Sequence, residues 1–137
     1  MRISPQRFVA AGIVVLLACS LLSSCSRPSA ESCDGHRPVP SIEQAVTGLL
    51  SAAESGDFDA ACAVVTIRQS KQDMAVALAK LNRQAESMGI DPGTVHIREL
   101  EQGGSLIPIE ISNGRDDRKI GLDVLKVRDE GYRIIWS

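Results

Sequence analysis

The stretch 94–136, TVHIRELEQGGSLIPIEISNGRDDRKIGLDVLKVRDEGYRIIW, decides the fold. Its apolar residues recur at every second position, in Ile107, Ile109 and Ile111 and again in Ile120, Leu122 and Val124, which is the period of a strand with one buried face. Gln102-Gly103-Gly104, Asn113-Gly114 and Glu130-Gly131 interrupt that period at regular intervals with the residue types that tight turns require. Four strands fit between these interruptions, at about 94–101, 106–112, 118–128 and 132–136, and connections this short make neighbouring strands antiparallel. Pro108 has no N–H to give to a ladder, which argues that its strand lies at an edge or is bulged. Past Leu125 and Val127 the alternation slips, pointing to a bulge or to a strand that is apolar on both faces.

Upstream, the period changes to that of helices. Ser41 precedes Gln44 by three residues in a capping-box pattern, and Ile42, Ala45, Val46, Leu49, Leu50 and Ala53 follow at helical spacing up to Gly56. Asp57 then caps a shorter apolar segment over 58–65, read as a helix packed on the first. Ser70 and Asp73 form another cap pattern, after which Met74, Leu78, Leu81, Ala85 and Met88 recur at alternating four and three, with Gly89 as the stop. A stripe of this kind that contains Met is a packing surface rather than a cofactor box. The sum is an α+β domain over 41–137, with N-terminal helices packed on one face of a curved antiparallel sheet of about four strands.

The corner Ala52-Ala53-Glu54-Ser55-Gly56-Asp57-Phe58-Asp59-Ala60-Ala61-Cys62 and the last strand, Asp129-Glu130-Gly131-Tyr132-Arg133-Ile134, resemble the small nuclear transport factor 2-like (cystatin-like) lipoprotein domains of bacteria. The resemblance runs from Ser41 to Ser137 and implies a cone between helices and sheet. Members of that superfamily include isomerases, dehydratases, immunity-type binders and many exported domains, so it is the fold that the resemblance implies. This chain departs from the pattern in being poor in aromatics where pocketed members line the cone with them, and in having Tyr132 where Trp is commoner. Both departures argue against a large ligand pocket.

The N-terminus reads as an address. Arg2 and Arg7 precede an apolar run of 15 residues, Phe8 to Leu22, which ends in small residues and a cysteine, the layout of an export signal. The run is shorter than the roughly 20 apolar residues that a membrane-spanning helix needs. Leu22-Ser23-Ser24-Cys25 resembles the lipobox of bacterial lipoproteins, which implies acylation of Cys25, for instance by palmitate, and removal of residues 1–24. Leu16-Leu17-Ala18-Cys19 is a competing match with a bulky Leu beside the small residue. Cysteine parity favours Cys25, because acylation there leaves the pair Cys33 and Cys62, whereas acylation at Cys19 leaves three thiols in an oxidising compartment. A plain secretory signal without lipid is the simpler alternative.

Residues 25–40 then comprise the lipidated cysteine and a linker, Ser26 to Pro40, rich in Ser and Pro and without apolar periodicity. A Cys33–Cys62 bridge would close a loop of about 30 residues, contribute ~3 to 4 kcal/mol on a chain-entropy estimate and pin the linker to the domain. Alternatively, Cys62 is a small core residue and Cys33 a linker thiol. The expected location is the extracytoplasmic face of the cell membrane, reached through the lipid anchor.

Charge and composition narrow the function. With Arg2 and Arg7 removed, 13 basic residues face 17 acidic ones, a net charge of −4, and such a surface does not suit nucleic acid. Phe58, Tyr132 and Trp136 are the remaining aromatics, too few for stacking on bases. An enzyme of this fold would need a buried carboxylate as base and a donor for the developing oxyanion. Asp123, Glu110 and Glu99 lie on predicted strands, with Tyr132 the one nearby phenol, but the pattern puts each carboxylate on a polar strand face, the ordinary setting of solvated residues. His36 lies in the linker and His96 alternates outward, so Cys33, His36, Cys62 and His96 have no recognised zinc spacing. No phosphate loop, nucleophile elbow or protease-type Cys-His signature is present, and no cofactor or metal is implied. The cluster Arg115-Asp116-Asp117-Arg118-Lys119 mixes both signs at a hairpin tip and reads as a solvated turn. The expected function is a membrane-tethered binding module for an envelope protein or a small apolar molecule. The alternative is an isomerase- or dehydratase-like enzyme using Asp123 or Glu110 in the cone.

Overall fold

The computed structural model describes residues 31–33, 37–66, 68–101 and 103–136. The predicted signal segment, Cys19, Cys25 and His36 lie outside the described residues. The fold is α+β, and each of its helices begins at a side chain that satisfies an otherwise orphaned N–H. Helix α1 spans Ile42–Ser55, and Ser41 Oγ accepts from Gln44 N at 3.1 Å; α2 spans Phe58–Val64, and Asp57 accepts from Ala60 N at 3.0 Å. Helix α3 spans Lys71–Ser87 behind Ser70, whose hydroxyl accepts from Asp73 N and donates to the Asp73 carboxylate at 2.7 Å. Gly56, at φ 66, ends α1 in the left-handed conformation that glycine adopts without steric cost.

The C-terminus of α3 shows how local and distant residues combine. Gly89 N donates to Glu86 O and Ile90 N to Ala85 O, a Schellman closure around Gly89 at φ 62, with Ile90 buried. The next two carbonyls are closed from the far hairpin: Arg118 Nη1 donates to Ser87 O at 2.7 Å and Asn113 Nδ2 to Met88 O at 2.7 Å. Arg118 is held in turn by Asp116 through Nε at 3.1 Å and Nη2 at 2.8 Å. The charged hairpin tip is therefore not merely a solvated turn; two of its side chains cap a helix.

The sheet contains five strands, β2 (Val65–Thr66), β4 (His96–Glu99), β5 (Leu106–Ser112), β6 (Ile120–Val127) and β7 (Gly131–Ile135), in the order β2-β7-β6-β5-β4. It is mixed and open: β4 to β7 form the expected antiparallel meander, and β2 adds to β7 in parallel. A two-residue strand has no readable period, which is why the sequence pattern yields four strands. A separate two-stranded ladder joins β1 (Glu31–Ser32) to β3 (Arg68–Gln69). The pairing of β6 is unbroken on both sides, so the slip past Leu125 marks a strand apolar on both faces, without a bulge.

Pro108 corrects another expectation, since β5 lies between β4 and β6 rather than at an edge. Leu100 N donates to Pro108 O at 2.9 Å, so the missing N–H faces the residue just beyond the end of β4. The absent donor falls where the ladder stops, and the proline is tolerated there.

Ile107, Ile109, Ile111, Ile120, Val124 and Ile134 share one sheet face and are buried with Val46, Leu49, Met74 and Leu78 of the helices in a single core. The last part of the predicted linker is docked to this domain. Val39 and Tyr132 exchange backbone hydrogen bonds at 3.0 and 2.8 Å, and Cys33 is bonded to Cys62 with Cα atoms 4.9 Å apart. Gly131, at φ 131, is required at this contact, because a Cβ there would collide with the Val39 carbonyl. The buried Arg133 guanidinium completes the attachment, donating to Cys33 O at 2.7 Å, to Cys62 O at 3.1 Å and to Val65 O.

Candidate functional site

A cleft of about 600 Å³ opens between α3 and the helix-side face of the sheet. Ala77, Lys80, Leu81 and Gln84 line it from α3, at the spacing that places side chains on one stripe of a helix. Opposite them stand Ile109 of β5 and Leu122 of β6, with Leu100 just past β4 and Trp136 just past β7. The low aromatic count does not prevent a cleft from forming. Ala77, a small residue on the helix, leaves space between the layers, and among the described residues Trp136 is the one aromatic at its wall.

Glu110 and Asp123 also border the cleft, but strand side chains alternate between faces. Ile109 and Leu122 face the helices, so by alternation Glu110 and Asp123 project from the outer face. Their surroundings agree. Glu110 pairs across the strands with Arg98, accepting from Nε at 3.1 Å and from Nη2, and lies 3.3 Å from Lys119 Nζ, while Asp123 is exposed. The hydrogen bonds from Arg98 hold the Glu110 carboxyl below the usual carboxylate range, against the opposing effect of burial, and Lys119 acts in the same sense as Arg98. That is the wrong direction for a general base, which works best when its pKa approaches the operating pH.

Tyr132 lies beside Pro40, Lys126 and Arg128 at a different surface depression and does not line the cleft. The two carboxylates and the phenol are therefore not brought together. Glu99 and His96 are exposed on the edge strand β4, and the His96 ring packs over Gly114. Among the described residues no three His, Cys, Asp or Glu side chains are grouped to hold a metal ion, and no helix is long and apolar enough to cross a membrane.

The sequence pattern marked the buried stripe of α3 but not Lys80 and Gln84 beside it. Their i, i+4 spacing flanking Leu81 was the available signal; that a gap lies beneath them depends on how helix and sheet meet. Comparison of the chain with protein-family models, curated proteins and solved structures finds no match.

Proposed function

We propose that this chain is an exported lipoprotein, acylated at Cys25, whose domain binds a small apolar molecule in the cleft between α3 and the sheet. The observation that carries the binding half is the cleft itself, lined by Leu81, Ile109, Leu122 and Trp136, with the two described carboxylates at its border placed by alternation on the other face of the sheet. The Cys33–Cys62 bond supports export, because such bonds persist in oxidising compartments. With Cys33 fixed to the domain, seven residues (26–32) lie between it and Cys25, a reach of at most roughly 30 Å. The domain is then held close to the bilayer, where apolar ligands are concentrated.

The test is the intact mass and the N-terminal fragment of the natural protein under non-reducing conditions, followed by native mass spectrometry. The expected result is a chain that begins at an acylated Cys25, lacks two thiol hydrogens and retains a small molecule. A chain that begins at Met1, or one that is never acylated, overturns the anchoring half; a domain that retains no added apolar compound overturns the binding half.

A further inference from the structure

We infer that the ligand of the cleft is a single-chain amphiphile with a carboxylate head, its chain against the apolar wall and its head on Lys80. This rests on the reading of the cleft as a binding site and adds the chemical class of the occupant. The first argument is charge. Lys80 is the one cationic side chain among the residues that line the cleft, and among the described residues it has no ion-pair partner. Its neighbours at three and four residues, Val76, Ala77, Arg83 and Gln84, include no acid to neutralise it along the helix. Glu110 and Asp123, the only carboxylate side chains at the border among the described residues, lie on the opposite face of the sheet by strand alternation. Among the described residues the cleft thus presents one cationic side chain, solvent-exposed, beside Leu81, Leu122 and Trp136.

The second argument is geometry. Gln84 lies one helical turn beyond Lys80 on the same stripe, so an ammonium and an amide N–H₂ are offered side by side. A carboxylate has two oxygens to satisfy, one by each donor. A phosphate monoester carries more charge and more acceptors than one lysine and one amide answer, and the forked cation suited to it is absent from the lining. The volume of about 600 Å³ lies within the range that holds one small molecule.

Trp136 is the only tryptophan of the chain and it lines the cleft, so its fluorescence reports occupancy directly. The full-length acylated protein, kept soluble by an amphipathic polymer, is titrated with dodecanoate and with dodecanol, which share a chain and differ in head charge. The expected result is saturable change with both, dodecanoate binding about two- to fivefold more tightly, the scale of one solvent-exposed ion pair. Lys80→Gln should abolish that preference and leave dodecanol unaffected, Lys80→Arg should keep it, and Ala77→Phe, which fills the cleft, should weaken both probes. Equal affinities in the natural protein, or a preference that survives Lys80→Gln, overturns the inference while the cleft remains a binding site. No saturable response to either probe overturns the binding reading as well.

Discussion

Arg133 joins three segments that are distant in the chain. One guanidinium nitrogen reaches carbonyls from the linker, from the last turn of α2 and from β2. A buried carbonyl without a donor costs about 1 to 3 kcal/mol, and a methionine at this position keeps the aliphatic bulk while removing the donors. Arg133→Met is therefore expected to lower stability by about 3 kcal/mol in urea denaturation; a change within ~0.5 kcal/mol, the size of an ordinary surface substitution, would refute this role. In sequence Arg133 is the basic residue between Tyr132 and Ile134 of the last strand, with nothing to mark it as buried; in the fold the linker and the end of α2 cover it. Glu110 is the converse case, since its place on a polar face was legible from the alternation with Ile109 and Ile111, whereas its pairing with Arg98 needed the strand register.

At the scale of elements, the helices and turns follow from neighbours in the chain, and their N-caps are where the pattern puts them. The end of α3 is the exception. Its Schellman closure is local, but its last two carbonyls take donors from the β5–β6 hairpin. Arg118 also places a positive charge at the negative end of the helix dipole. Removing both donors in Asn113→Ala/Arg118→Ala should cost about 1 to 2 kcal/mol. Amide exchange in the last turn of α3 should quicken selectively, leaving β6 protected. Uniform quickening across the domain would mean that the hairpin itself, rather than the cap, had been damaged.

For the whole molecule, the disulfide and the linker segment act as one clasp. Cys33 is bonded to Cys62 of α2 and held by Arg133, Glu31–Ser32 pairs with β3, and Val39 pairs with Tyr132, so the chain ahead of α1 is attached at several points. Replacing both cysteines, Cys33→Ser/Cys62→Ser, releases a loop closed across 29 residues of separation. It should reduce stability by roughly 2 to 4 kcal/mol. The Val39 and Tyr132 amides should lose exchange protection before the core strands do. Unchanged protection at those amides would show that the backbone pairing holds the linker without the bond.

What the sequence determined by itself were features set within a few residues: the helix caps at Ser41, Asp57 and Ser70, the glycine stops, and the alternation of β5 and β6. These come from propensity, hydrogen bonds across one turn, and the facing of successive side chains, all of which a one-dimensional pattern records. Only the tertiary structure decided the parallel addition of β2, the burial of Arg133, the capping of α3 and the cleft beneath Lys80. Arg133 meets Cys33 across 100 residues, Arg118 meets Ser87 across 31 and Asn113 meets Met88 across 25. Contacts over such separations depend on how layers pack, and a gap between layers is a property of no single segment.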